Sequence, residues 1–266
     1  MPPAISLITL LTDFGDRDSF VASMKGVILN INPQARIVDL SHQVAPHQIE
    51  DAAYVLKSSY RYFPDGTVHV AVVDPGVGST RRPLLVGTSR YFFLAPDNGL
   101  LTDIVQEELS IEVRQIQNKQ YRLDAEGTTF DGRDVFAPAA AWLTRGQAPS
   151  SFGPLIRDVT TFPAYEPAWE GPTFVGRIVY VDHFGNLISN ITPSHLTDIR
   201  RYAKRTSVSI RIAGRTIDDL TTCYADGSSD APCALINSNG HVEVFVREGS
   251  AAQMLNVGRG ERMEIM

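Results

Sequence analysis

The sequence predicts an α/β N-terminal domain built on a mainly parallel sheet, followed by a smaller all-β C-terminal domain. Three observations carry that expectation. In the first half, short β-branched runs alternate with amphipathic helical patterns in the β-α-β-α-β order of right-handed crossovers. Between Gly146 and Pro172 the periodicity gives way to Pro149, Pro154, Pro163, Pro167 and Pro172. Beyond that segment the apolar runs are short and separated by turn residues, the spacing of an antiparallel sheet. The expected boundaries are 1–147 for the α/β domain, 148–172 for a Pro-rich linker and 173–266 for the β domain.

Bulk composition narrows the function classes. The chain has 266 residues, 43% hydrophobic and 20% charged, with a net charge of −6, which describes a globular protein with ample core. The acidic balance and the lack of any arginine-rich tract argue against a nucleic-acid partner. No apolar run is long enough to span a bilayer, and Cys223 and Cys233 alone make no disulfide framework. The N-terminal MPPAISLITLLTDFGD lacks a basic leader and reads as a first strand, so a cytoplasmic location is expected.

Taken in order, Ile5 to Leu11 reads as a strand ending at Thr12-Asp13-Phe14-Gly15, followed by a helix from Ser19 to Asn30. Arg36 to Leu40 is a second strand, and Pro46 is expected to open a helix on which Ile49, Ala52, Ala53, Val55, Leu56 and Tyr60 share a face. Val68 to Val73 has the density of a fully buried strand and stops at Asp74-Pro75-Gly76. Leu84 to Thr88 and Tyr91 to Ala95 pair around Ser89-Arg90, and Asp97 or Asn98 is placed to cap a helix from Leu100 to Glu107. Ile111 to Ile116 is another strand, and an alanine-rich helix runs from Val135 to Thr144. In the second half, strands are expected at Thr173 to Val181, Leu187 to Ile191, Ser207 to Ile212, Ala234 to Asn237 and Val242 to Val246.

Several common chemistries lack their signatures. There is no phosphate loop, no H-E-x-x-H and no G-x-S-x-G, and Gly76-Val77-Gly78 lacks the third glycine of a dinucleotide fingerprint. The six histidines show no metal-ligand spacing. Asp74 closes a strand at the sheet edge where α/β folds bind ligands, and Arg81 follows seven residues on. That pair reads either as a salt bridge closing a loop or as part of a site. Asp13, Asp16 and Asp18 read as a divalent-metal cluster or as solvated loop acids, and Asp13, at the strand end, is suited to accept from a ribose diol. Asp182 and Asn186 fit an adenine edge or an ordinary turn; Ser238-Asn239-Gly240 and Arg247 to Ala252 read as turn and helix-start residues.

Six stretches, LLTDFGDRDSFVASMKG, VVDPGVGSTRRPL, APDNGLL, TFDGRDVFAPAAA, DHFGNLISNI and INSNGHVEVFVREGSAA, occur in one order and spacing. Through them the whole chain resembles the S-adenosyl-L-methionine (SAM) hydroxide adenosyltransferases, or SAM hydrolases, relatives of the fluorinase and chlorinase enzymes. The resemblance implies an α/β domain joined to a β-barrel-like domain, and a homotrimer with active sites between the first domain of one subunit and the second domain of the next. It implies SAM as substrate, with no cofactor and no metal. Asp74 and Arg81 match two members of an Asp-Arg-His set that orders the attacking water or hydroxide. Asp13 matches the residue that grips the ribose hydroxyls. Asp182, Asn186 and Ser238, with Asn239 beside it, match contacts to methionine and adenine. Arg247, Ser250 and Ala251 fall in backbone that lines the adenine, and His47 sits where the halogenating relatives carry an aromatic. One position departs from the pattern: Asp131 stands where the hydrolases have His. Two carboxylates are then expected near Arg81, raising one pKa and offering a base for water while disfavouring an incoming hydroxide or halide. The alternatives are a non-catalytic SAM or adenosine-binding protein and a metal-dependent phosphohydrolase using Asp13, Asp16 and Asp74.

Overall fold

The run LITLLT forms a buried strand, β1 (Leu7–Thr12), whose side chains alternate between two apolar layers: Ile8 and Leu10 face one, Leu11 the other. In the computed structural model, residues 5–163, 165–203 and 207–266 are described. Met1–Ala4, part of the stretch read as a first strand without a leader, lie outside them. The chain divides into two units, Met1–Phe162 and Pro163–Met266.

In the first unit β1 leads through α1 (Phe20–Ile31) to β2 (Arg36–Ser41), then through α2 (Ile49–Ser59) to β3 (Val68–Val72). β4 (Pro83–Gly87) and β5 (Phe92–Pro96) follow, then α3 (Thr102–Glu107), β6 (Glu112–Gln115) and α4 (Ala137–Thr144). The sheet order is β2-β1-β3-β5-β4-β6; β2, β1, β3 and β5 are parallel neighbours, and β4 is antiparallel to β5 and β6. Met24 and Ile28 of α1 and the alanines of α4 pack on one face. Ala52 and Leu56 of α2 and Ile104 of α3 pack on the other. The result is the helix-covered, mainly parallel sheet expected of this alternation.

The later starts of α2 and α3 have local causes. α2 begins at Ile49 because His47 has φ 68°, outside helical space, and a turn from Gln48 N to Ala45 O intervenes. α3 begins at Thr102 because Gly99 has φ +97°, while the Asn98 side chain accepts from the Leu100 amide 3.2 Å away.

The division between units falls inside the Pro-rich 148–172 segment, yet the first part of that segment belongs to the first unit. Phe152 is fully buried with its ring centroid 4.6 Å from that of Tyr121, and its carbonyl accepts from the Gln117 and Asn118 amides. Gly153 packs so closely on the β6 backbone that a Cβ would lie 2.1 Å from the Gln115 carbonyl oxygen. These prolines punctuate packed chain as well as a connection.

The second unit is an eight-stranded, wholly antiparallel, barrel-like sheet. Its elements are β7 (Ala168–Glu170), β8 (Thr173–Val181), β9 (Leu187–Ser189), α5 (Pro193–Ala203), β10 (Ser209–Ile212), β11 (Arg215–Asp218), β12 (Cys233–Ile236), β13 (Val242–Phe245), α6 (Ala251–Leu255) and β14 (Arg262–Ile265). The long β8 pairs with β7 and β14 along its first half and with β9 along its second, where the register shifts between Ile178 and Tyr180. Such a break bends a strand and curls its sheet. Among the described residues no helix is long and apolar enough to cross a membrane.

Phe152→Ala is expected to destabilise the first unit by about 3–5 kcal/mol, the usual cost of emptying a buried aromatic site. Urea unfolding of the full chain measures this; a loss below about 1 kcal/mol would mean that the segment is a linker throughout.

Candidate active site

Strand order places the site. From β1 the chain moves to β2 on one side, then returns across to β3 on the other, with α1 and α2 on opposite faces. At such a switch point the loops leaving the carboxyl ends diverge and open a crevice. Thr12 and Val72 are register partners at those ends, and Asp13 and Asp74 follow one and two residues later.

Beyond Asp74 the chain turns back on itself: the Val77 amide donates to Asp74 O and the Ser79 amide to Gly76 O, with Gly78 at φ +79°. This fold-back returns Arg81 to Asp74. Arg81 Nη2 meets Asp74 Oδ2 and also Asp131 Oδ2, the latter at 2.5 Å. The three side chains are only 4%, 10% and 16% exposed for Asp74, Arg81 and Asp131. Both Asp74 oxygens and Arg81 Nε are buried without a hydrogen bond of ordinary geometry. The neighbouring Arg82 instead binds Asp97 and Asp158 and closes the loop.

Asp131 reaches this point because of close packing beneath it. It precedes a π-helical turn, Gly132–Phe136, that runs into α4. A Cβ on Gly132 would sit 3.2 Å from Met24 Sδ and from the Phe14 and Phe130 rings, so a larger residue there would have to push these side chains aside. Phe14, Phe20 and Phe130 form a three-ring cluster with centroid separations of 5.7, 5.8 and 5.2 Å. A cavity of about 750 Å³ opens beside the site, with Gly78, Ser79, Arg81, Arg122, Thr128 and Asp131 on its wall.

Burial is the largest influence on Asp74 and raises its carboxyl above the ordinary carboxylate range. Arg81 opposes that shift and Asp131 adds to it. Arg81 is held more firmly protonated: its carboxylate partners outweigh the burial that acts against its charge.

Asp13 and Asp16 are engaged elsewhere. Asp13 Oδ2 accepts the His47 backbone amide at 2.9 Å, and Asp16 accepts from Gln43 Nε2. His47 is exposed, with φ 68°, so it meets Asp13 through its backbone. Among the described residues no three His, Cys, Asp or Glu side chains are arranged to hold a metal ion.

In the second unit Asp182 organises the turn after β8. Its Oδ1 accepts the Phe184 and Asn186 amides at 2.9 and 2.8 Å, and its Oδ2 accepts Asn186 Nδ2 at 2.9 Å. Gly185 at the tip has φ +80°, and a Cβ there would lie 2.0 Å from Ser250 Oγ. Ser250 caps the Gln253 amide at 3.1 Å, and the Ala252 amide donates to Gly185 O. The Asp182–Asn186 turn and the start of α6 are therefore one packed feature. Ala251 is fully buried and offers only backbone. Ser238 and Asn239 are exposed on the turn between β12 and β13, and Arg247 is exposed beyond β13. Sequence reasoning missed Glu243, buried in β13 and bonded to Tyr224 and Asn237. Its signal was a lone acid in the apolar run VEVF.

A guanidinium clasped by two carboxylates at the switch point of an α/β unit, with a barrel-like β unit following, defines a two-unit class of small-molecule protein with no phosphate loop. Residues 8–153 match the family described as "SAM hydroxide adenosyltransferase N-terminal domain", and residues 176–264 match its C-terminal domain. The chain belongs to the SAM hydroxide adenosyltransferase family. It is 34% identical to the (R)-S-adenosyl-L-methionine hydrolase of Methanocaldococcus jannaschii, over 98% of this chain and 96% of that one. It is 28% identical to the fluorinase of an Actinoplanes species, over 96% and 95% of the two chains. The crystal structure of an uncharacterized conserved protein from Thermotoga maritima superposes with a TM-score of 0.87 at 32% identity, covering 97% of this chain and 99% of that one.

A carboxyl raised in the folded state favours folding in its protonated form; that contribution is complete below the unfolded pKa and is lost as pH rises through the folded value. Asp74→Asn fixes the neutral state. It is expected to melt at a higher temperature than the wild type at pH 7, with the difference shrinking towards pH 3. Calorimetry across that range checks the sign, and a lower melting temperature at pH 7 would contradict it.

Proposed function

We propose that this chain hydrolyses S-adenosyl-L-methionine to adenosine and L-methionine. The observation that carries the reading is the buried Asp74–Arg81–Asp131 constellation at the switch point, whose Asp74 oxygens and Arg81 Nε lack hydrogen bonds of ordinary geometry. Family membership supplies the substrate class.

The chemistry asks little beyond position. A water oxygen attacks C5′ in line with the C5′–S bond; that bond breaks, its electron pair returns to sulfur, and methionine leaves as a neutral thioether. The sulfonium already carries the positive charge that makes it depart, so the step needs neither metal nor general acid. The protein must hold a weak nucleophile on the bond axis and exclude bulk water, and orientation alone removes a large part of such a barrier. Arg81 orients the water. Asp74 and Asp131 fix the guanidinium, and Asp131, the more exposed carboxylate, accepts the proton as the C–O bond forms. One cation between two anions also makes this point a poor seat for a halide.

On this reading Asp13 receives the ribose hydroxyls, with His47 beside it. Asp182, Asn186, Ser238 and Asn239 contact the methionine and adenine portions, and Arg247, Ser250 and Ala251 line the adenine through backbone. The same reading makes the working assembly a homotrimer, its sites drawing on the first unit of one subunit and the second unit of the next, in the cytoplasm. Resemblance to the family supports it, and analytical ultracentrifugation checks the mass.

Arg81→Ala is expected to lower adenosine release by about 10²–10³-fold or more, the usual cost of losing a buried electrostatic contact to the reacting centre. Asp131→Asn is expected to slow hydrolysis and to make the residual activity chloride-sensitive. A chelator is expected to change neither rate. Chromatography of the products measures all three; near wild-type release by the Arg81 variant, or abolition by chelator, would overturn the assignment.

A further inference from the structure

Glu243 lies in β13 between two paired strands, opposite Leu235 of β12 and Ile188 of β9, and is 3% exposed. A carboxylate in such a place is costly unless its lone pairs are satisfied, and burial pushes its pKa up. Its bonds are specific. Oε1 accepts the Tyr224 hydroxyl at 2.8 Å and Oε2 accepts Asn237 Nδ2 at 3.0 Å.

The second bond has consequences at the surface. The other end of the Asn237 amide, Oδ1, accepts the backbone amides of Asn239 and His241, each at 3.0 Å. Backbone bonds from Asn237 N to His241 O and from Gly240 N to Asn237 O complete the turn. A planar amide can be rotated by half a turn at little intrinsic cost, but the flipped form would point its NH₂ at two N–H donors. An ionised carboxylate accepts and cannot donate. Glu243 therefore selects the amide orientation that leaves Oδ1 for the turn.

We infer that Glu243 is a positioning residue for substrate binding: it fixes the Asn237 amide and, through it, the turn that presents Ser238 and Asn239. The inference rests on the reading above for the role of that turn. The Tyr224 arm is separate. Tyr224 packs edge-on against Phe245, with centroids 5.0 Å apart, and tethers its own segment to the sheet without reaching the turn.

The two arms give the test. Steady-state kinetics with SAM are expected to show KM raised about tenfold in both Glu243→Leu and Asn237→Ala, with kcat within about threefold of the wild type. The double variant should be no worse than the poorer single one, since both interrupt one path. Glu243→Gln restores KM to within about threefold, because its carbonyl accepts from Asn237 while its NH₂ donates to the Tyr224 oxygen. Tyr224→Phe leaves KM unchanged. Additive losses, a fall in kcat at constant KM, or equal damage from Tyr224→Phe would overturn the inference.

Should Glu243→Leu fail to fold, an unchanged KM in Asn237→Ala overturns it alone. ¹H–¹⁵N spectra separate this inference from the reading it rests on. Displaced Asn239 and His241 amide signals in Glu243→Leu, unmoved in Tyr224→Phe, establish the positioning even if the wild type releases no adenosine.

Discussion

A single guanidinium shared by two buried carboxylates is the constraint on which the first unit depends. Charged side chains removed from water carry a desolvation penalty that their mutual attraction offsets only with tight geometry, and losing the shared guanidinium, which leaves both carboxylates without their cation, costs about 3–5 kcal/mol. The surrounding chain is arranged to keep them together. The β1–β3 register sets the strand ends level, Gly78 reverses the loop that carries Arg81, and Gly132 allows the Asp131 turn to settle on Met24 and the phenylalanine cluster. None of these features adds charge. Each narrows the freedom of a charged group, which is what in-line displacement at a sulfonium requires.

The second unit uses a different device: turns held by side-chain amides and carboxylates on a curled antiparallel sheet. Asp182 gathers two backbone amides and Asn186, Asn237 gathers two more, and Ser250 caps α6. The close fit of Gly185 on Ser250 fuses two of these features into one surface. Rigid turns of this kind bind a ligand at lower entropic cost than loops that must be ordered on contact. Positional precision in this unit comes from hydrogen-bonded turns, whereas in the first it comes from charge.

Much of this could be read from local pattern. Dense apolar runs marked β1 and β3, and the β-α-β order implied parallel pairing with acids at the strand ends. The Asp182–Asn186 turn and the glycine-bearing Asp74 loop also announced themselves. Other features depend on contacts distant in sequence. No pattern says that Phe152, amid prolines, is core, or that His47 takes φ 68° and delays α2. The helix α5 was hidden because it buries little beyond Leu196 and Ile199, and β11 and β14 because charged residues leave RTID one apolar side chain and RMEI two. Spacing could not show that Arg81 also meets Asp131, or that Arg82 meets Asp97 and Asp158, because these partners lie 15 to 76 positions away. Glu243 was passed over because a lone acid in a strand carries no motif; its meaning lies in the two side chains it meets.

The central claim is that a water held by Arg81 between Asp74 and Asp131 attacks C5′ of SAM. Turnover in ¹⁸O-enriched water followed by mass spectrometry of the products tests it most directly. The account predicts one ¹⁸O atom in adenosine, on the 5′ carbon, and none in methionine. Label in an amino-acid product, or release of a thioether that still carries the 5′ carbon–sulfur bond, would place the attack at another carbon and contradict the account.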